Sequence, residues 1–211
     1  MKVHRLVFSP IEVNTYILED ESGDCAIIDC GCYDKSETDI LTKFLEDNKL
    51  KPVLLLNTHS HLDHIFGNNF MLESYGLKTL AGELDEMNRK SAVSHAAMFG
   101  LSMEAPPEPV GFLVDNQVIK FVDNELIALH VPGHSAGSFA FLSKNDNCVF
   151  TGDALFAGSI GRTDLPGGNF ETLIGSIKTK LFTLPPSTIV YPGHGKETNI
   201  MTEMKYNPYF S

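Results

Sequence analysis

Short apolar runs divided by turn-forming residues dominate the first third of the chain. VHRLVF (3–8), NTYILE (14–19) and CAIID (25–29) are separated by SP and ESGD. They predict strands of a meander that ends at Asp29-Cys30-Gly31. A helical period then takes over in SETDILTKFLEDN (36–48), with Ile40, Leu41, Phe44 and Leu45 on one stripe and Ser36 placed as the N-cap. Pro52 precedes VLLLN (53–57), a continuous apolar run that suits a buried strand. IFGNNFMLESYG (65–76) predicts a helix and KTLAG (78–82) a short strand. Residues 83–100 are helix formers throughout. The breaker-rich MEAPPEPVG (103–111) reads as surface loop.

The second half repeats the theme. Strands are predicted at 117–121, 126–131, 138–143 and 147–152. A helix over 170–182 leads through a Pro-Pro pair into the strand TIVYPG (188–193), and a last helix covers 197–204. Two strand-rich halves therefore each carry helices, and no Pro/Gly/Ser linker parts them. The expectation is one α/β domain over residues 1–211, a four-layer αββα sandwich of two face-to-face sheets with helices outside.

Composition narrows the partners. Apolar residues make up 43% of the 211, which disfavours disorder. The formal net charge of −11 disfavours nucleic acid and anionic membrane as partners. It does not exclude a small anionic substrate, because a metal site sets its own local field. No run approaches the length of a membrane span, and MKVHRLVFSP lacks the apolar run of a signal peptide, so a cytoplasmic protein is expected. Cys30-Gly31-Cys32 is too tight for an ordinary structural zinc spacing. Together with Cys25 and Cys148, these cysteines are expected as free, mostly buried thiols. Periodicity says nothing of the oligomeric state.

The chemistry concentrates in THSHLDH (58–64). At the end of an extended segment, residues two apart point the same way, so His59 and His61 can share one ion. A turn towards a following helix then brings in Asp63 and His64. Neutral imidazoles bind zinc well, carboxylate adds charge neutralisation, and the same groups clustered without a metal would waste desolvated polar surface. Three further sites repeat a strand–turn–ligand setting beside glycine: VPGH ends in His134, TGD in Asp153 and YPGH in His194. Seven donors are too many for one tetrahedral zinc. Two ions would use them economically: His59, His61 and His134 on the first, Asp63, His64 and His194 on the second, and Asp153 as the bridge. A hydroxide between two such cations becomes available near neutral pH. Zinc is the expected metal, though iron and manganese accept the same donors. His4 and His95 have no ligand companions nearby and read as structural or surface residues. His130 precedes VPGH on a strand whose side-chain direction argues against direct ligation, which leaves it a supporting hydrogen bond.

With these motifs together, the chain resembles the metallo-β-lactamase fold superfamily, and within it the glyoxalase II-like, or hydroxyacylglutathione hydrolase-like, proteins. The likeness also covers NTY (14–16), IIDCG (27–31), GHSAGS (133–138) and GDALFAGSIGRTDLPGGN (152–169). It implies the αββα sandwich and the same two-metal assignment. It also implies a thioester substrate, namely a hydroxyacyl-glutathione such as lactoylglutathione. In that scheme Asp63 doubles as the catalytic group that orients the hydroxide and accepts its proton. Arg162, in the GRTD stretch, is either a contact for a substrate carboxylate or amide, or half of a salt bridge shaping its loop. Two departures stand out. Cys30 replaces the proline of the family turn, and the stretch after His194 is too short for the C-terminal helical domain with which full-length glyoxalase II enzymes clasp glutathione. The SIGRTD stretch is also similar to persulfide dioxygenases of the superfamily, which hold one iron at the equivalents of His59, His134 and Asp153. That oxygenase is the main alternative, and hydrolysis of another small ester or lactone is a further one.

Overall fold

The structure, a computed structural model, describes residues 1–210. The first sheet opens with β1 (Lys2–Phe8), β2 (Val13–Glu19) and β3 (Asp24–Ile28), paired antiparallel in sequence order. The chain crosses through α1 (Lys35–Asp47) to β4 (Lys51–Leu56), which lies parallel to β3. It then passes through α2 (Leu62–Ile65) and α3 (Asn68–Tyr75) to β5 (Leu80–Ala81). A turn of 3₁₀ helix (Glu83–Asp85) leads into α4 (Glu86–Met98), and β6 (Gly111–Phe112) closes this six-stranded sheet.

The second sheet takes β7 (Val118–Phe121), β8 (Asn124–His130), β9 (Phe139–Ser143) and β10 (Cys148–Gly152). A two-stranded ribbon of β11 (Leu155–Phe156) and β12 (Ser159–Ile160) follows, then α5 (Phe170–Ser176). β13 (Ile189–Pro192) returns parallel to β10, β14 (Thr198–Asn199) forms the edge, and α6 (Ile200–Tyr206) ends the described fold.

Three apolar clusters show how four layers hold together. Between the sheets, Tyr16, Leu18, Ile28 and Leu56 meet Leu126, Ala128, Phe139, Phe141 and Phe150. Outside the first sheet, Ile17, Ile27 and Leu55 pack on Leu41, Leu45 and Met71 of α1 and α3. Outside the second, Val131, Leu142, Val149 and Val190 pack on Leu173, Ile177 and Ile200. Alternate residues of one strand thus serve two cores, as Ile17 and Leu18 do on β2. The expected αββα sandwich is the fold observed.

Several local expectations are corrected. The N-cap of α1 is Asp34, whose carboxylate accepts from Glu37 N, and Ser36 instead donates its hydroxyl to Asp34 at 2.6 Å. The charged acceptor two residues upstream takes the cap. The helix read over 65–76 starts only at Asn68: Ile65 ends the separate α2, and Gly67 between them packs against Cys30 and donates its N–H to the Cys30 carbonyl at 2.8 Å. The helix read over 83–100 begins as a 3₁₀ turn, because Asp85 turns its carboxylate inward. The helix over 170–182 keeps α geometry only to Ser176 and then widens into a π turn over Ile177–Leu181. The last helix begins at Ile200, where Asn199 caps it by accepting from Thr202 N. All four cysteines are free and buried, as expected.

Candidate metal centre

The rim where β4, β10 and β13 end gathers every side chain that the motifs mark. β4 stops at Leu56, and THSHLDH carries the chain round the rim into α2. His134 arrives on the turn after β8, Asp153 directly after β10, and His194 after β13. The parallel pairing of β10 with β13 sets the last two side by side. Gly193 keeps them in contact with the motif: an added Cβ there would lie 2.2 Å from Asp153 Oδ1 and 2.8 Å from His64 Cε1.

The donors fall into three groups, each with its atoms mutually within 4.8 Å: His59, His61 and His134; His59, His64 and Asp153; and Asp63, His64 and His194. His134 Nε2 lies 3.2 Å from His59 Nε2 and 2.9 Å from His61 Nδ1. His194 Nε2 lies 3.2 Å from Asp63 Oδ2. Asp153 Oδ2 stands between the ends, 3.5 Å from His134 Nε2 and 3.6 Å from His194 Nε2. His64 Nε2 and Asp153 Oδ1, 3.4 Å apart, are both buried with no hydrogen-bond partner. Buried polar atoms are rarely left so. A cation between them would satisfy both, so this donor set fits a dinuclear metal-binding site.

The rings are fixed from behind. Four of the five histidines turn Nδ1 outward: His59 to Thr58 Oγ1, His64 to Asp29 Oδ2, His134 to the carbonyl of Arg162 and His194 to the carbonyl of Glu12. For His134 and His194 the partner is a carbonyl, so Nδ1 carries the proton and Nε2 keeps its lone pair for a ligand. His61 alone points Nδ1 inward.

The site contains opposed charge states. Burial first, and then the neighbouring imidazoles, push His59 well below its ordinary value and His61 down to about 3. Burial would also depress His64, but the carboxylates of Asp63, Asp29 and Asp153 outweigh it and hold His64 well above the ordinary range. His194 is raised against its own burial by the hydrogen bond to Asp63 and the charge of Asp153. Burial raises both Asp63 and Asp153, yet His64 and the neighbouring histidines bring each below its ordinary value.

Sequence reasoning passed over the residues that build this frame. Asp29, at φ 55°, accepts from Thr58 N at 2.8 Å and Thr58 Oγ1 at 2.6 Å besides meeting His64. Asp85, fully buried, accepts from Ser60 N, Ser135 Oγ and Gly137 N, tying the 58–64 motif to the turn that carries His134. The NTY motif also finds its task. Asn14 N donates to Gly193 O at 2.7 Å, Tyr16 OH donates to Pro192 O at 2.7 Å, and Thr15 Oγ1 donates to Asp29 O at 2.6 Å. One strand thus holds both the His194 turn and the Asp29 turn.

A cavity of about 630 Å³ opens over the donors, within the range that holds a small-molecule ligand. Arg162 is on its wall, with Nε and Nη2 each 2.7 Å from Asp164. The loop-shaping salt bridge, one of the two readings of this residue, is therefore the arrangement observed. His95 also lies on the cavity wall, where sequence reading gave it only a structural or surface role. His4 bonds Glu19 and His130 bonds the carbonyl of Ala136, both away from the donors. Among the described residues no helix is long and apolar enough to cross a membrane.

Comparison with known proteins agrees with this geometry. The family model described as the metallo-beta-lactamase superfamily matches residues 9–194. The chain is 35% identical over 216 residues to the probable metallo-hydrolase YqgX of Bacillus subtilis, covering 100% of this chain and 98% of that one. It is 33% identical over 213 residues to the hydroxyacylglutathione hydrolase GloC of Haemophilus influenzae, covering 100% and 99%. Among solved structures it is similar to TTHA1623 in a di-iron-bound form, with TM-score 0.88, 35% identity and coverage of 98% and 99%.

Proposed function

The chain belongs to the metallo-β-lactamase superfamily, and from that premise we propose that it is a dinuclear metal-dependent thioesterase acting on a hydroxyacyl-glutathione such as lactoylglutathione. The observation that carries this reading is the pair of donor triads with Asp153 between them, facing one cavity. The full-length likeness to a protein named hydroxyacylglutathione hydrolase supports the substrate.

His59, His61 and His134 would hold one cation, Asp63, His64 and His194 the other, and Asp153 both. Zinc is the first candidate, and the di-iron form of a relative supports iron as the second. Such a pair supplies water acidified towards neutral pH and positive charge for the oxyanion that forms on the attacked carbonyl. The chain's own residues do the rest. Asp63, whose Oδ2 lies 3.2 Å from His194 Nε2, would orient the attacking water and take its proton. The Nδ1 anchors on His59, His64, His134 and His194 keep the rings from turning away. Arg162 contributes through its carbonyl, which fixes His134, and its guanidinium meets a substrate carboxylate or amide only by exchanging Asp164.

The persulfide dioxygenase alternative needs one iron at His59, His134 and Asp153 and leaves Asp63, His64 and His194 without a task. Metal analysis of the protein as isolated, with assays on lactoylglutathione and on glutathione persulfide, separates the two. Two cations per chain and release of glutathione are expected. One iron per chain with oxygen consumption on the persulfide would overturn the proposal.

A further inference from the structure

The cavity has two unlike ends. Near the donors it is polar. Beyond them, the C-terminal end of α4, β11 and two loops present large apolar side chains. Asn88 and His95 are two turns apart on α4 and both line the cavity, as do Met98 and Phe99 at the end of the helix. Met98 is 81% exposed and Phe99 63% exposed, in a place where nothing in the fold covers them. Ile11, after β1, and Phe156, on β11, line the same space, together with Leu165 and Pro166. The Phe156 ring lies 6.3 Å from that of His194, which joins this wall directly to the donor cluster. Apolar surface gathered beside a reaction centre marks a binding site rather than scatter.

Charge points the same way. Outside the histidines, Arg162 is the one cationic side chain lining the cavity among the described residues, and Asp164 already holds its guanidinium. An acyl group ending in a charge would find no partner on this wall.

We infer that the wall formed by Met98, Phe99, Ile11, Phe156, Leu165 and Pro166 is a subsite for an uncharged apolar acyl group, so that the preferred thioester carries an aliphatic or aromatic acyl chain longer than lactoyl. This rests on the thioesterase reading for the bond that is cleaved. The wall's affinity for apolar groups is independent of it.

The test uses the carboxylic acids that such hydrolysis releases, since a carboxylate can ligate the cations while its chain lies on the wall. Titration calorimetry of the zinc-loaded protein with propionate, butyrate, pentanoate and hexanoate is expected to show binding tightening by about threefold to fourfold per added methylene, with propionate weakest. Met98→Ser and Phe99→Ser should each flatten that series. Both side chains are exposed, and an unchanged zinc content will show that the variants keep their fold. Equal affinity for all four acids, or a series that both variants leave intact, would overturn the subsite. A separate assay on lactoyl- and hexanoyl-glutathione keeps the two readings apart. If neither thioester is cleaved but the acids still bind in order of length, the thioesterase reading fails and the subsite stands. If lactoylglutathione is cleaved and the acids bind equally, the subsite alone fails.

Discussion

At one corner of the donor cluster His59, His61 and His134 meet with Asp153 as the nearest carboxylate. At the other, His64 and His194 are wrapped by Asp63, Asp153 and Asp29. The same side chain is pushed in opposite directions. Burial keeps His59 and His61 neutral, which is the form that binds a metal. Carboxylates raise His64 well above the ordinary histidine range and so favour its protonated form. The difference teaches what each corner requires of a cation. The histidine corner is ready and offers little charge. The acidic corner offers charge and favours a proton where the cation would sit.

Asp153 joins the corners, so its removal should have the largest effect. Asp153→Ala is expected to bring metal content well below two per chain and to lower turnover by more than the roughly 10–100-fold lost when an outlying partner is removed. Elemental analysis beside the thioester assay checks both. Asp29→Asn should act on the acidic corner alone, weakening its cation by about 10–100-fold while the histidine corner keeps its own. Stepwise zinc titration resolves the two. Asp85→Asn is the counterpart on the histidine side. It exchanges the charged acceptor of the Ser60, Ser135 and Gly137 bonds for a neutral one and should cost about 2 kcal/mol in denaturant unfolding of the metal-free protein.

The acidic corner should also respond to pH. In the metal-free fold the raised His64 and His194 contribute stability that is full below the ordinary histidine pKa of about 6.5 and is lost as pH climbs through their raised values. A cation entering that corner must displace those protons. Its affinity should therefore rise with pH by about tenfold per unit for each proton displaced, whereas the histidine corner stays nearly flat. Calorimetry in buffers of different ionisation enthalpy counts the protons. Arg162→Ala should matter least. Its pair with Asp164 is exposed, so its loss should barely move the unfolding midpoint, with little change in KM for lactoylglutathione. A large rise in KM would show that the guanidinium leaves Asp164 for substrate.

What the sequence made legible follows from how local each signal is. The seven donors could be named because each sits in a short string with glycine or a second histidine beside it, and the chain does bring them together. The layers were legible because strand and helix periods differ. The frame was not. Asp29 reads as the end of a strand, and its meaning lies in a left-handed turn that aims it at Thr58 and His64. Asp85 reads as one acid among helix formers, and only the fold shows it fully buried between two loops. Asn14 and Tyr16 read as strand residues, although they clamp a turn about 180 residues away. His95 lacked neighbouring ligand types, and a cavity wall is a property of surfaces that no local spacing encodes. The helix read over 65–76 starts late because Gly67 gives its N–H to the carbonyl of Cys30, which is distant in sequence.

The donors come from four stretches, at 59–64, 134, 153 and 194, and Asn14 latches the last of these to the opposite sheet. A half-collapsed chain, with one sheet formed and the other loose, could offer a cation either the first of them or the other three, never the full set. Cations would therefore grip this protein after the sheets have docked, too late to hasten that docking. Loading the site should act as a brake on unfolding and leave the refolding rate almost where it was.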